Sequence, residues 1–303
     1  MSILRHQRAL ATVLLIVLFP VCFCLFVNAS SGDFDSAFGG TGKVITDFGA
    51  TTDYGDAVVL QPDGKIVIAG TAIANYAAPD QRSNFALARY NANGSLDDSF
   101  GAGGRVITDF NGGEHDGVGD MVLQSDGRLV VAGSVLAPGG GGIDLGLARY
   151  LSDGSLDPNF GSSGKVATHL SGRISGASGM VLQPDGKLVI AGQTGESTRS
   201  DIAVVRYNNN GSLDTSFGNG GQVTTHFDGG SNVSVSASDI ALQPDGKIVV
   251  AGHYIQDYSV AAVFALARYN SDGSLDSGFA DGGKLITNVT GFASGVVVQP
   301  DGK

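Results

Sequence analysis

The chain has no tryptophan, two cysteines and few basic residues: 18 Lys and Arg stand against 29 Asp and Glu, for a formal charge of −11. Each shortage excludes something. So acidic a chain, with no basic run, argues against a phosphate-backbone partner, and no nucleic acid is expected. Both cysteines, Cys22 and Cys24, fall in an N-terminal apolar stretch that reads as a leader. The remainder then has no disulfide and no thiolate metal site. No amphipathic helical period of useful length follows the leader, so helices are not expected.

Arg5 and Arg8 precede an apolar stretch from Ala9 to Val27, and Val27-Asn28-Ala29 forms a small-residue cleavage pattern before Ser30. The expectation is a signal peptide over residues 1–29 and a chain that is secreted or held in the cell envelope, with no stable membrane span after cleavage. The competing reading is an uncleaved anchor, since the stretch approaches the length of a membrane span.

What the chain has in quantity is glycine, 47 residues without a three-residue period, which suits many short strands joined by tight turns. It also repeats itself. Gln61-Pro62-Asp63-Gly64-Lys65 returns at Gln124, Gln183, Gln243 and Gln299, about every 60 residues. A second block, Arg89 to Val106, returns from Arg149, Arg206 and Arg268, and its tail alone spans Phe34 to Val44.

Each unit reads as four strands. Ala57 to Leu60 is apolar on consecutive residues, as in a strand covered on both faces. It enters Pro-Asp-Gly, a hairpin turn, and leaves as Lys65 to Gly70. Phe85 to Tyr90 alternates large and small side chains with the period of two of a strand. Asn93-Gly94 turns the chain toward a fourth strand, Arg105 to Thr108. Units of this size cannot bury both faces alone and must stack. Four antiparallel strands per unit predict an all-β fold, a β-propeller of about five units across residues 30–303, with a β-solenoid array as the alternative. Lys303 stands inside the fifth hairpin, so the sequence is expected to be truncated.

QPDGKIVIAG, FALARYNANGSLD and FGAGGRV resemble the delta-60 repeat, a bacterial family of predicted β-propeller repeats without known function, from about Phe34 to Lys303. The hairpin arrangement also resembles NHL-type blades, where the strand entering the turn lies nearest the axis. That resemblance implies inner strands at Ala57 to Leu60, Met121 to Leu123, Met180 to Leu182, Ile240 to Leu242 and Val296 to Val298.

Several residue sets could carry chemistry. The Asx-Gly-Ser-Leu-Asp turns offer oxygens that a hard cation would want: Asn91, Asn93 and Asp97; Asp153 and Asp157; Asn208, Asn210 and Asp214; Asn270, Asp272 and Asp276. Calcium is the one cofactor they suggest, and the reading preferred here is a turn that needs Asx-Gly for its own geometry. Arg89, Arg149, Arg206 and Arg268 recur in the third strand and are read as structural forks for carboxylates. Asp47, Asp109, His169, His226 and Asn288 share one position, which the NHL-like framing places on the outer strand, away from any metal ring.

The segments joining second to third strands differ in length and composition, which is where a grafted function would sit. Tyr76, Arg82, Tyr254 and Tyr258 are the expected contact residues there. The function expected is a binding scaffold with a protein or glycan partner and no catalytic residues. The alternative is a polysaccharide hydrolase or lyase using Asp56, Asp120 and Asp239 at a channel mouth.

Overall fold

The computed structural model describes residues 33–74, 82–110, 115–137, 141–170, 172, 174–196, 199–229, 232–256 and 261–303. Tyr76, Tyr258 and the leader lie outside them. Among the described residues there is no helix long and apolar enough to cross a membrane.

Among the described residues, sixteen strands form four blades of one plan, the third and fourth joined in one eight-stranded sheet. The first blade is β1 (Thr52–Leu60), β2 (Ile66–Ala74), β3 (Arg82–Tyr90) and β4 (Arg105–Thr108). The second is β5 (Gly117–Leu123), β6 (Leu129–Leu136), β7 (Ile143–Tyr150) and β8 (Lys165–Thr168). β9 (Ile174–Leu182), β10 (Leu188–Glu196), β11 (Arg199–Tyr207) and β12 (Gln222–Thr225) make the third. β13 (Val233–Leu242), β14 (Ile248–Gln256), β15 (Val263–Tyr269) and β16 (Lys284–Thr290) make the fourth. Within each blade, sequential strands pair antiparallel. A single parallel bridge, Ser200 to Ser234, joins the third blade to the fourth.

The strands run further than the apolar pattern foretold. β1 begins at Thr52 and β2 continues to Ala74, because polar and small residues keep the ladder going: Asp53 pairs Ala72 and Tyr54 pairs Thr71. Val296 to Val298, expected as an inner strand, has no ladder partner and forms no strand.

Each first strand carries a bulge, at Asp56 in β1 and between Val118 and Asp120 in β5. The bulge brings a carbonyl against the facing strand, and only glycine tolerates it. A Cβ on Gly133 would land on the Gly117 carbonyl oxygen and 2.8 Å from the tip of Phe85 in the preceding blade. Gly70, Gly192 and Gly252 face the same obstacle.

The hydrophobic core is three cores, one at each joint between blades. Val67, Phe85 and Leu87 of the first blade pack with Met121, Leu129 and Val131 of the second. Leu145 and Leu147 meet Met180, Leu188 and Ile190 at the next joint. Ile202 and Val204 meet Ile240, Ile248 and Val250 at the third. Burying one such side chain contributes about 1.5–3 kcal/mol, so a blade is stabilised chiefly by its neighbours.

Candidate functional site

The recurring arginines stand inside the blades. The Nε of Arg89 donates to Asp97 at 2.7 Å, and the Lys65 ammonium reaches the same carboxylate at 3.1 Å. Arg206, Lys187 and Asp214 repeat this at 2.7 and 3.1 Å. Arg268, Lys247 and Asp276 do so at 2.8 and 3.0 Å, and Arg128 takes the lysine's place beside Arg149 and Asp157. Each guanidinium also lies over a phenylalanine, Phe100 beneath Arg89 at 4.5 Å for instance. Burial works against ionisation of Asp97, but hydrogen bonds from Ser99 and Lys65 and the Arg89 charge outweigh it and hold the carboxyl far below its ordinary range. Asp214 is held down in the same way.

The fork's other arm crosses to the next blade. Nη1 of Arg89 donates to the Ser152 carbonyl at 2.5 Å, that of Arg149 to Asn209, and that of Arg206 to Ser271 at 2.5 Å. One side chain thus neutralises a buried acid and ties two blades. A second tie had no place in the sequence reading: Tyr150 donates to Thr108 at 2.8 Å and Tyr207 to Thr168 at 2.7 Å, while Tyr269 and Thr225 share a bond of 2.7 Å. Its signal was available, since Thr and Tyr recur at fixed places in every unit.

The turn oxygens are used by the turn. Oδ1 of Asn93 accepts from the Ser95 amide and hydroxyl at 3.1 and 2.8 Å, and Asp153, Asn210 and Asp272 treat Ser155, Ser212 and Ser274 alike. Asn91, Asn208 and Asn270 turn their amide nitrogens, not their oxygens, toward the serine hydroxyl. Among the described residues no three or more His, Cys, Asp or Glu side chains form a metal-ligating group.

Asp120 and Asp239 sit where successive first strands meet. Asp120 accepts from its neighbour Met121 at 2.7 Å and from Met180 of the next blade at 2.7 Å. Asp239 accepts from Ile240 and from Val296, both at 2.8 Å. Burial raises the Asp120 carboxyl, two amide bonds oppose the rise, and the Asp239 charge adds to it. Asp56 does not belong with them: it occupies the bulge itself, Ala57 holds the matching position, and Thr71 donates to Asp56 at 3.3 Å.

His169 and His226 are brought not to an axis but each to a buried acid of its own blade. Nδ1 of His169 lies 2.9 Å from Asp144, and Nδ1 of His226 lies 2.7 Å from Asp201, with both imidazoles open to solvent. Asp144 and Asp201 were not foreseen, since the pairing of third with fourth strand that makes them neighbours spans 25 residues of sequence. Of the expected contact residues, Arg82 is exposed at the start of β3. Tyr254 stands in β14 rather than in a loop and is 7% exposed, its hydroxyl donating to the Asp228 carbonyl at 3.0 Å.

Four segments, residues 61–100, 124–160, 183–217 and 243–279, match a family model described as a domain of unknown function (DUF5122) beta-propeller. The chain is a β-propeller repeat protein. No curated protein matches it. Among solved structures, a protein of unknown function from Dyadobacter fermentans is similar at 13% identity, over 82% of this chain and 73% of that one, with a TM-score of 0.43. A mannose phosphorylase from Leishmania mexicana is similar at 12% identity, over 83% of each chain, with a TM-score of 0.41. A GH43 endo-arabinanase from Bacillus licheniformis is similar at 14% identity, over 79% and 81%, with a TM-score of 0.41. These distant likenesses say nothing of what the propeller binds.

Proposed function

We propose that this propeller is a secreted or envelope-associated binding scaffold whose contact surface lies at the ends of the second and third strands. The observation that carries this reading is the use of the recurring polar groups. Arg89, Asp97, Lys65 and their counterparts are bound to one another and to the next blade, so the residues common to all blades build the wall. What differs between blades is the stretch between second and third strands, with exposed Arg82 at one such end. The unit itself is proposed to be a delta-60 repeat in the NHL-like arrangement. The amide bond from Met180 of β9 to Asp120 of β5 supports first strands that adjoin around the axis.

The partner is proposed to be a protein or a glycan. A glycan array and pull-downs with the secreted form, each with and without calcium, test ligand class and cation dependence together. Exchanging the segment 75–81, which joins β2 to β3, for 257–262, which joins β14 to β15, should abolish the interaction without unfolding the blades. Recovery of the same partner after exchange would remove these segments from the account.

The rival reading, polysaccharide cleavage, rests on the raised carboxyl of Asp120 beside Asp239. Every oxygen those two acids use is bound to a backbone amide, which favours latches between strands over free acid and base.

A further inference from the structure

Asparagine followed by glycine occurs three times among the described residues, at Asn93-Gly94, Asn210-Gly211 and Asn219-Gly220. Glycine has no side chain to shield its amide, so in such a pair the amide nitrogen can attack the asparagine side chain. The fold treats the three pairs in two ways. Two are locked. Oδ1 of Asn93 accepts from the Ser95 amide and hydroxyl, and Oδ1 of Asn210 accepts from those of Ser212 at 3.0 and 2.7 Å. Their glycine amides are engaged as well, Gly94 donating to Asn91 and Gly211 to Asn208, each at 2.9 Å. The asparagine carbonyls are held from outside the turn, by Gly39 at 2.8 Å and Gly161 at 2.9 Å, and both following glycines are buried. Neither the side chain nor the peptide after it is free to turn.

Asn219-Gly220 stands at the tip of the tight turn that leads into β12. Asn219 donates to the Gln222 carbonyl at 2.9 Å and accepts from the Gln222 amide at 3.4 Å. A loop this short favours glycine with positive φ, and Gly220 has a φ of 64°. Among the described residues, the Asn219 side chain makes no hydrogen bond and the Gly220 amide has no acceptor. Both residues are exposed, and a Cβ on Gly220 would meet nothing within 4 Å. Nucleophile and electrophile are adjacent, unbound and open to water.

We propose that Asn219 is a modification site of the folded protein, where the side-chain amide is lost by spontaneous deamidation with water as co-reactant. The Gly220 nitrogen bonds to Cγ of Asn219 as the Cγ–Nδ2 bond breaks, and Nδ2 leaves as ammonia, taking the Gly220 amide proton. Water then opens the cyclic imide. Cleavage at Cγ gives aspartate; cleavage at the backbone carbonyl carbon gives isoaspartate, whose main chain runs through Cγ with one carbon more. The aspartate has a seat, since Asp281 forms the same turn in the fourth blade, with bonds of 3.1 and 3.2 Å to Lys284. The isoaspartate has none, because an added backbone carbon in so short a loop displaces Gln222 from its partner Val205 and loosens β12.

The test incubates the whole chain in mildly alkaline buffer and follows the three asparagines by peptide mass spectrometry that separates aspartate from isoaspartate. Asn219 should convert at least tenfold faster than Asn93 or Asn210. In guanidinium chloride, which removes the locks, the three rates should converge. Gly220→Ser keeps the turn, since Ser163 stands at the same place in the second blade with a φ of 53°, and should slow conversion of Asn219 at least fivefold by crowding the nitrogen. Equal rates at the three asparagines of the folded chain, or no conversion at Asn219, overturns the proposal. So does a difference that persists in guanidinium chloride, or a rate at Asn219 that Gly220→Ser leaves unchanged.

Discussion

Val58 and Met121 hold the same place in the first strands of successive blades, and what separates a 66% exposed side chain from a 4% exposed one is the blade in front of it. The residues of this protein are buried by neighbours rather than by their own sheet. Met121→Ala should cost about 2–5 kcal/mol of stability, while Val58→Ala, with little burial to lose, should cost under about 0.5 kcal/mol. Urea unfolding of the two variants checks the contrast, and equal losses would refute it.

Gly133→Ala should be far worse than its single methyl suggests. The new Cβ would collide with a backbone carbonyl in its own blade and with Phe85 of the preceding one. Rearranging packed neighbours costs about 1–3 kcal/mol or more. Adding Phe85→Ala relieves only the second collision, so the double variant should stay destabilised, as thermal unfolding would show.

Two kinds of buried acid predict opposite pH dependences. Burial pushes the Asp116 carboxyl up to about 6, despite amide bonds from Phe110 and Leu136. A folded pKa above the unfolded value of 3.8 means that protonation favours the folded state. Its contribution is full below 3.8 and is lost as pH rises through about 6. Asp97 and Asp214 lie below their unfolded values, so theirs is present above 3.8 and is lost as pH falls toward their folded values. Asp116→Ala should flatten the stability loss between about pH 4 and 6, and Asp97→Ala should blunt acid unfolding. Unfolding midpoints across pH 2–7 read both slopes.

Asp120→Ala separates a latch from a catalyst. Without its carboxylate the Met180 amide loses an acceptor in the next blade, so hydrogen exchange at Met180 should accelerate at least tenfold while amides in β10 change little. Unchanged exchange at Met180, with a lost polysaccharide-cleaving activity, would favour the rival reading.

Much of this was legible in the sequence because a repeat states its own constraints several times over. The hairpin turns, the third-strand alternation and the structural role of Arg89 follow from period and residue type. The partners of Arg89 were only half visible: Asp97 lies eight residues away, but Ser152 lies 63 residues away, across a joint that only stacking creates. Asp56 resembles Asp120 and Asp239 in residue type alone: it stands five residues before its turn glutamine and they stand four before theirs, so the count itself sets Asp56 one place off, at the bulge. Tyr254 read as a loop residue because β14 extends through His253 and Tyr254 without an apolar alternation to announce it.

The central claim is that the recurring charged residues join blades, and Arg149 tests it most directly, since it holds the buried Asp157 of its own blade and donates to the Asn209 carbonyl of the next. Equilibrium urea unfolding of Arg149→Ala should show a loss of about 1–3 kcal/mol, the cost of leaving the Asn209 carbonyl without its donor and Asp157 with Arg128 alone. A variant as stable as the parent chain would contradict the account.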